Sequence, residues 1–169
     1  GSNVGTISTL REFVIHFDVT IHGTKTGWNQ ILKIGSGNTR GPGVWLHSDK
    51  THLHVSYGND SGNWPSVNDY TDWPLQAPPQ KAIRIVMRSQ RLTMYVNDAP
   101  SGWVDVPENK MVSEGQDLPL YFCESGSCSN ACIRGFSYAS VPSPSPPPPS
   151  PPPPFPPPSP PPPPPPPPH

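Results

Sequence analysis

From residue 13 to residue 21 (FVIHFDVTI) apolar and polar positions alternate almost without a break. Phe13, Ile15, Phe17, Val19 and Ile21 fall on one side, and Val14, His16, Asp18 and Thr20 on the other. A period of two predicts an antiparallel strand with one face on a core. Residues 28–34 (WNQILKI) and 43–47 (GVWLH) are two further apolar runs, and 52–57 (HLHVSY) alternates again with Leu53, Val55 and Tyr57 in phase. Residues 81–88 (KAIRIVMR) carry Ile83, Ile85 and Met87 on one side, and 91–97 (RLTMYVN) carry Leu92, Met94 and Val96. Only Ser89 and Gln90 separate these two runs, which predicts a tight β-hairpin. Residues 118–123 and 133–138 supply the last strands. The intervening stretch 58–79, rich in Asn, Asp, Ser, Gly, Pro and Trp, reads as one long loop. No stretch keeps a 3.6-residue period. Many short strands joined by polar turns predict an all-β fold, a two-sheet antiparallel jelly-roll sandwich over residues 1–140.

The alternation stops at residue 140. Residues 141–169 read VPSPSPPPPSPPPPFPPPSPPPPPPPPPH and hold 22 of the 30 prolines. Proline fixes φ and has no N–H to donate, so this segment is excluded from helices and central strands. It is expected to be a C-terminal polyproline II rod, rising about 3.1 Å per residue and reaching about 90 Å. The chain therefore divides into a head, 1–140, and a stalk, 141–169.

Composition narrows the function classes. The formal net charge is −1, with no basic stripe for nucleic acid or anionic lipid. No apolar run approaches the length needed to span a bilayer. Gly1-Ser2 read as a cleaved N-terminus or an expression scar. Cys123, Cys128 and Cys132 have a poor zinc spacing, so a local disulfide plus one free thiol is expected, with the odd cysteine available to another chain. Three reduced cysteines in a cytosolic protein are the alternative. The stalk favours secretion.

Taken in order, FVIHFDVTIHGTKTGWNQILKI, GVWLHSDKTHLHVSYG and the hairpin ending in MYVND resemble the concanavalin-like/laminin-G-like jelly-roll superfamily over about residues 10–139. The stalk resembles hydroxyproline-rich glycoproteins of plant and green-algal walls and cell or flagellar surfaces, the extensins among them. Residues 145–149 and 150–154 are both S-P-P-P-P, the extensin-type repeat. The resemblance implies hydroxylation and O-glycosylation of Pro146, Pro147, Pro148, Pro149, Pro151, Pro152, Pro153 and Pro154, with sugar on Ser145 and Ser150 as well. Two departures stand out. The stalk has no tyrosine for extensin-style cross-linking, and residues 160–168 are uninterrupted proline.

Candidate chemistry in the head is sparse. The E-x-D-x-x-E carboxylate arrangement of jelly-roll glucanases is absent, and no nucleophile or zinc-hydrolase motif occurs, so no catalytic residue is expected. The 58–73 loop concentrates Asn59, Asp60, Asn63, Trp64, Asn68, Asp69, Tyr70, Asp72 and Trp73. Aromatics stack on sugar faces, and carboxylates and amides bond hydroxyls or hold calcium. Trp64, Asp69, Tyr70, Asp72 and Trp73 are therefore the candidate sugar-binding residues, with Ca²⁺ the one cofactor the loop would suit. A solvated connection with its tryptophans tucked on the sandwich edge is the plainer reading. His47, His52 and His54 lie around one turn; they read as the polar face of a hairpin rather than a metal site. Asn59 heads an N-x-S sequon and is a candidate N-glycan acceptor, whereas Asn130 heads only the rarer N-x-C form. Trp45, out of phase with Val44 and Leu46, is expected to face outward, as an interface residue or a partly covered surface aromatic.

A proline rod serves as a spacer, a ligand for proline-recognising grooves, or a sugar-bearing scaffold. The absence of Arg and Lys from the stalk disfavours the second in its SH3-type form. The expectation is a secreted, non-enzymatic structural glycoprotein that self-associates into a filament through head-to-rod contacts that do not close. The alternative is a lectin-like module displayed on a stalk.

Overall fold

The computed structural model describes residues 2–23, 27–47, 52–59, 63–69, 81–122 and 130–142. These form eleven strands and one short 3-10 turn. The strands are β1 (Ser2–Ser8), β2 (Phe13–Gly23), β3 (Asn29–Ile34), β4 (Arg40–Leu46), β5 (Leu53–Gly58), β6 (Ser66–Asp69), β7 (Lys81–Arg88), β8 (Arg91–Val96), β9 (Ala99–Asp105), β10 (Asp117–Phe122) and β11 (Asn130–Ser140). The turn, Glu108–Lys110, links β9 to β10. One sheet runs β1-β10-β3-β4-β5-β6 and the other β11-β2-β7-β8-β9, every pair antiparallel. The fold is a jelly-roll β-sandwich.

The core lies where the alternation put it. Phe13, Ile15, Phe17, Val19 and Ile21 of β2 are buried together with Ile83, Ile85 and Met87 of β7 and Leu92, Met94 and Val96 of β8. The facing sheet contributes Val44, Leu46, Leu53, Val55 and Tyr57. Each inward residue meets its partner across the ladder, as in Phe17↔Ile83 and Ile85↔Met94. Burying such a side chain contributes about 1.5–3 kcal/mol. Tyr57 lies within this core, and burial pushes its phenol up to about 12. Its hydroxyl accepts a hydrogen bond from the Val112 N–H at 3.3 Å, tying the segment after the 3-10 turn to β5.

The predicted hairpin is present. Ser89 and Gln90 have φ of 47° and 61°, both left-handed, as a two-residue turn matched to strand twist demands. Asn97 and Asp98 repeat the geometry at 49° and 63° and join β8 to β9. Asn97 is further clasped by Ala82, whose N–H donates to its Oδ1 at 3.0 Å and whose carbonyl accepts from its N–H at 2.8 Å.

Three strands were not foreseen. β1 and β9 are edges with polar, glycine- or proline-bearing sequences (SNVGTIS and APSGWVD), and β6 is an edge within the stretch read as one loop. An edge strand needs only one ladder, so alternation and proline exclusion are relaxed there. β6 also closes the sandwich. Val67 sits so close over Gly102 of β9 that a Cβ on Gly102 would lie 2.6 Å from Val67 Cγ2.

Candidate functional site

The two sheets turn different faces to the surroundings. On the six-stranded sheet the outward positions are themselves filled. Trp45 is outward of the ladder, as its phase required, yet it is only 8% exposed. Its indole lies flat across Gly43, in the space a Cβ would take. The Arg40 guanidinium is held between two rings, 4.5 Å from the centroid of Trp45 and 3.6 Å from that of Trp64, and donates to Ser56 Oγ at 2.7 Å. Burial pushes the Arg40 pKa down, and none of the ion pairs among the described residues involves it. Trp45 is thus a covered residue, in keeping with the covered alternative of the two and not with an interface.

Beside this stack lies a cluster of imidazoles. Trp28, 43% exposed, meets His47 and His54 edge-on at 4.4 and 4.8 Å. His47 stacks on His52 at 4.2 Å. His54 Nδ1 is 2.8 Å from Asn68 Oδ1, which places the ring proton on Nδ1. Desolvation lowers the His54 pKa, opposed by the Asn68 bond. The three histidines meet aromatic rings and an amide instead of converging on one point, and no group of metal-ligating residues forms among the described residues.

The predicted loop residues divide. Trp64 is half-buried, stacked on Arg40, with Nε1 donating to the Asn38 carbonyl at 2.8 Å. It is a lid on the sheet edge more than a projecting platform. The Asp69 backbone ends β6 opposite Leu53. Asp60, Tyr70, Asp72 and Trp73 lie outside the described residues, and the calcium expectation rests mostly on them. Asn59 Nδ2, the atom that would bear an N-glycan, donates to the Asn109 carbonyl at 2.9 Å and faces Met111 O at 3.5 Å. A sugar there would have to displace this clasp. Cys132 is a free, half-buried thiol on β11, while Cys123 and Cys128 lie outside the described residues, as do the stalk positions Ser145 to Pro154.

The five-stranded sheet is open on its outer side. A groove of about 870 Å³ runs over β2, β7 and β8, floored by Val14 and Val86 and flanked by His16, Arg84 and Tyr95. Arg84 stacks on Tyr95 at 3.7 Å and lies 3.7 Å from Asp98. Towards the β7–β8 turn, Arg88 and Arg91 continue the basic lining. Arg91 is paired with Asp105 at 2.8 Å and lies over Trp103 at 3.9 Å. Trp103 is 57% exposed, the most open of the large apolar side chains among the described residues. Val141 and Pro142 complete the lining at the same end. The sequence reading missed this face because its residues lie on three strands distant along the chain. Their common signal was an outward phase: His16, Arg84 and Tyr95 are cross-strand neighbours.

No protein-family model matches the sequence, and no curated protein matches it significantly. Solved structures do resemble the fold. A binding domain of botulinum neurotoxin DC in complex with SialylT superposes with a TM-score of 0.58 at 14% identity over 76% of this chain and 32% of that one. A botulinum neurotoxin type C structure, described as dependent on two ganglioside molecules for cell entry, gives 0.57 at 15% over 78% and 32%. A Trypanosoma rangeli sialidase bound to a difluorinated nononic acid gives 0.57 at 14% over 75% and 20%. The chain spans a third or less of the length of these structures. The likeness is one of fold, a jelly-roll β-sandwich.

Proposed function

We propose that this chain is a secreted, non-catalytic structural glycoprotein, a subunit of a fibril or surface coat, whose head mediates assembly and whose O-glycosylated proline rod supplies length and stiffness. One observation carries the reading. β11 remains paired through Ser140↔Phe13, and the first stalk proline is Pro142, two residues later. A proline-rich segment that begins two residues beyond a hydrogen-bonded strand leaves no length of flexible linker between the two, which suits a stalk that transmits the orientation of its head. No catalytic group, cofactor or membrane attachment is assigned; no helix among the described residues is long and apolar enough to cross a membrane. The test is intact-mass spectrometry and electron microscopy of protein from its natural source. Steps of about 16 Da with pentose ladders, together with fibrils, are expected. Bare prolines on dispersed particles would overturn the reading.

A second reading, a carbohydrate-binding module on a stalk, is favoured by the Trp28, Arg40, Trp64, His54 and Asn68 face. The open indole of Trp28, with the His54–Asn68 pair beside it, suits a sugar stacked on an aromatic plane, and the structures that share the fold include complexes with SialylT and a sialidase ligand. Glycan-array binding that vanishes in Trp64→Ala or Asp69→Asn would establish it.

A further inference from the structure

We propose that the groove on the five-stranded sheet is the docking site for the proline-rich segment of a second copy of this chain. This rests on the structural reading above and adds the surface through which the copies join.

The chemistry of groove and segment is complementary. A proline run has no N–H to give; it offers carbonyl acceptors with no internal partners and the flat apolar faces of its rings. The groove offers the converse. Arg84, Arg88 and His16 present N–H donors, Arg91 is held by Asp105 at the rim, Tyr95 adds a hydroxyl, and Val14 and Val86 give an apolar floor. Stacking on Tyr95 holds the guanidinium plane of Arg84, so its donors need little ordering on binding, while Arg91, paired with Asp105, keeps Trp103 beside the groove. Aromatic-lined grooves are the general solution for binding polyproline II. The flanking charges that orient such ligands elsewhere are absent from this segment, which carries no Arg or Lys. Here the charge is all on the groove, and the ligand is read as carbonyls and rings.

The occupant is another copy because the chain's own segment would have to reverse sharply to reach the groove floor. Val141 and Pro142 already form one end of the groove. Ser140 pairs with Phe13, the first residue of β2, so the chain passes the end of the sheet there, whereas the floor lies back over β2, β7 and β8. Reaching the floor requires a reversal. From Val141 to Pro149 every residue is a proline or precedes one; each proline fixes φ, and each residue before a proline is biased to extended backbone. A tight reversal is disfavoured, and the floor is left to a rod arriving from elsewhere. Groove and rod are different surfaces, so the contact is heterologous and propagates without closing.

The experiment uses the full chain, prepared with ¹⁴N and with ¹⁵N and mixed, each carrying Thr93→benzoylphenylalanine in the groove. After irradiation, cross-linked peptides joining the groove to residues 143–169 of the opposite isotope are expected. Cross-links confined to one isotope would show the chain's own segment in place, and none to that segment would show a different ligand; either overturns the proposal. Sedimentation of Tyr95→Ala/Trp103→Ala with unchanged thermal stability should show self-association weakened at least about tenfold. Fibrils that assemble undiminished in this variant would sink the groove while leaving the structural role intact. An unmodified chain that never associates would sink both.

Discussion

The two outer faces of the sandwich come from the same alternating rule and end up unlike each other. β3, Asn29–Ile34, is buried at every position, whereas β7, Lys81–Arg88, alternates between buried and more open sites. On β3 and β4 the outward residues are covered by the chain itself: Trp45 over Gly43, Arg40 between two indoles, and Lys33 bent back to the Gly37 carbonyl at 2.8 Å. On β7 and β8 they remain half-open or exposed above the sheet and line a groove. A face that has already packed its aromatics has little left to offer a partner without opening. A face whose aromatics are stacked only on arginines keeps their other sides for use.

The sharpest way to break this contrast is to remove one tryptophan from each face. Trp45→Ala should cost about 3–5 kcal/mol in chemical unfolding, and Trp103→Ala no more than about 0.5 kcal/mol. Equal losses would mean the faces are packed alike. Gly43→Ala comes next. Its Cβ would occupy the space of the Trp45 ring, so a loss of about 1–3 kcal/mol is expected, while Thr93→Ala on the open face should be nearly silent in the same melt. Asn97→Ala tests the hairpin that carries the open face. It places a Cβ residue without a turn-forming side chain at φ 49° and removes the bond from the Ala82 N–H, for about 1 kcal/mol or somewhat more.

The mildest test is acid. Burial first, then the charges of Arg40, His47 and His52, keeps His54 neutral, with Asn68 opposing. Its folded-state pKa lies below the ordinary 6.5, so the unfolded chain binds the proton more readily. His54 should therefore contribute stability that is complete above pH 6.5 and is lost as the pH falls through the lowered value. The loss should diminish in His54→Gln. An unchanged pH profile in that variant would show that the covered face does not sense the proton at this ring.

Legibility followed the kind of information each element needed. β2, β5, β7 and β8 were read correctly, inner face included, because interior strands must satisfy a period of two on both sides of the ladder. β1, β6 and β9 escaped because an edge strand tolerates polar residues, Pro100 and Gly102. Trp64 was singled out as a candidate sugar-binding residue of the 58–73 loop, but its partner Arg40 lies 24 residues away and carried no local signal. The groove was invisible for the same reason: Val14, Arg84 and Tyr95 become neighbours only when β2, β7 and β8 align.

By itself the sequence determined that the head is an all-β sandwich, which residues form its inner layers, and that a segment dominated by proline follows. Those properties depend on near neighbours: alternation, fixed φ and a missing N–H act within a few residues. Tertiary structure decided which outward side chains are spent on one another and which remain available, because that depends on ladder order and register across strands far apart in the chain. It also set Val141 and Pro142, where the proline-rich segment begins, against the open groove.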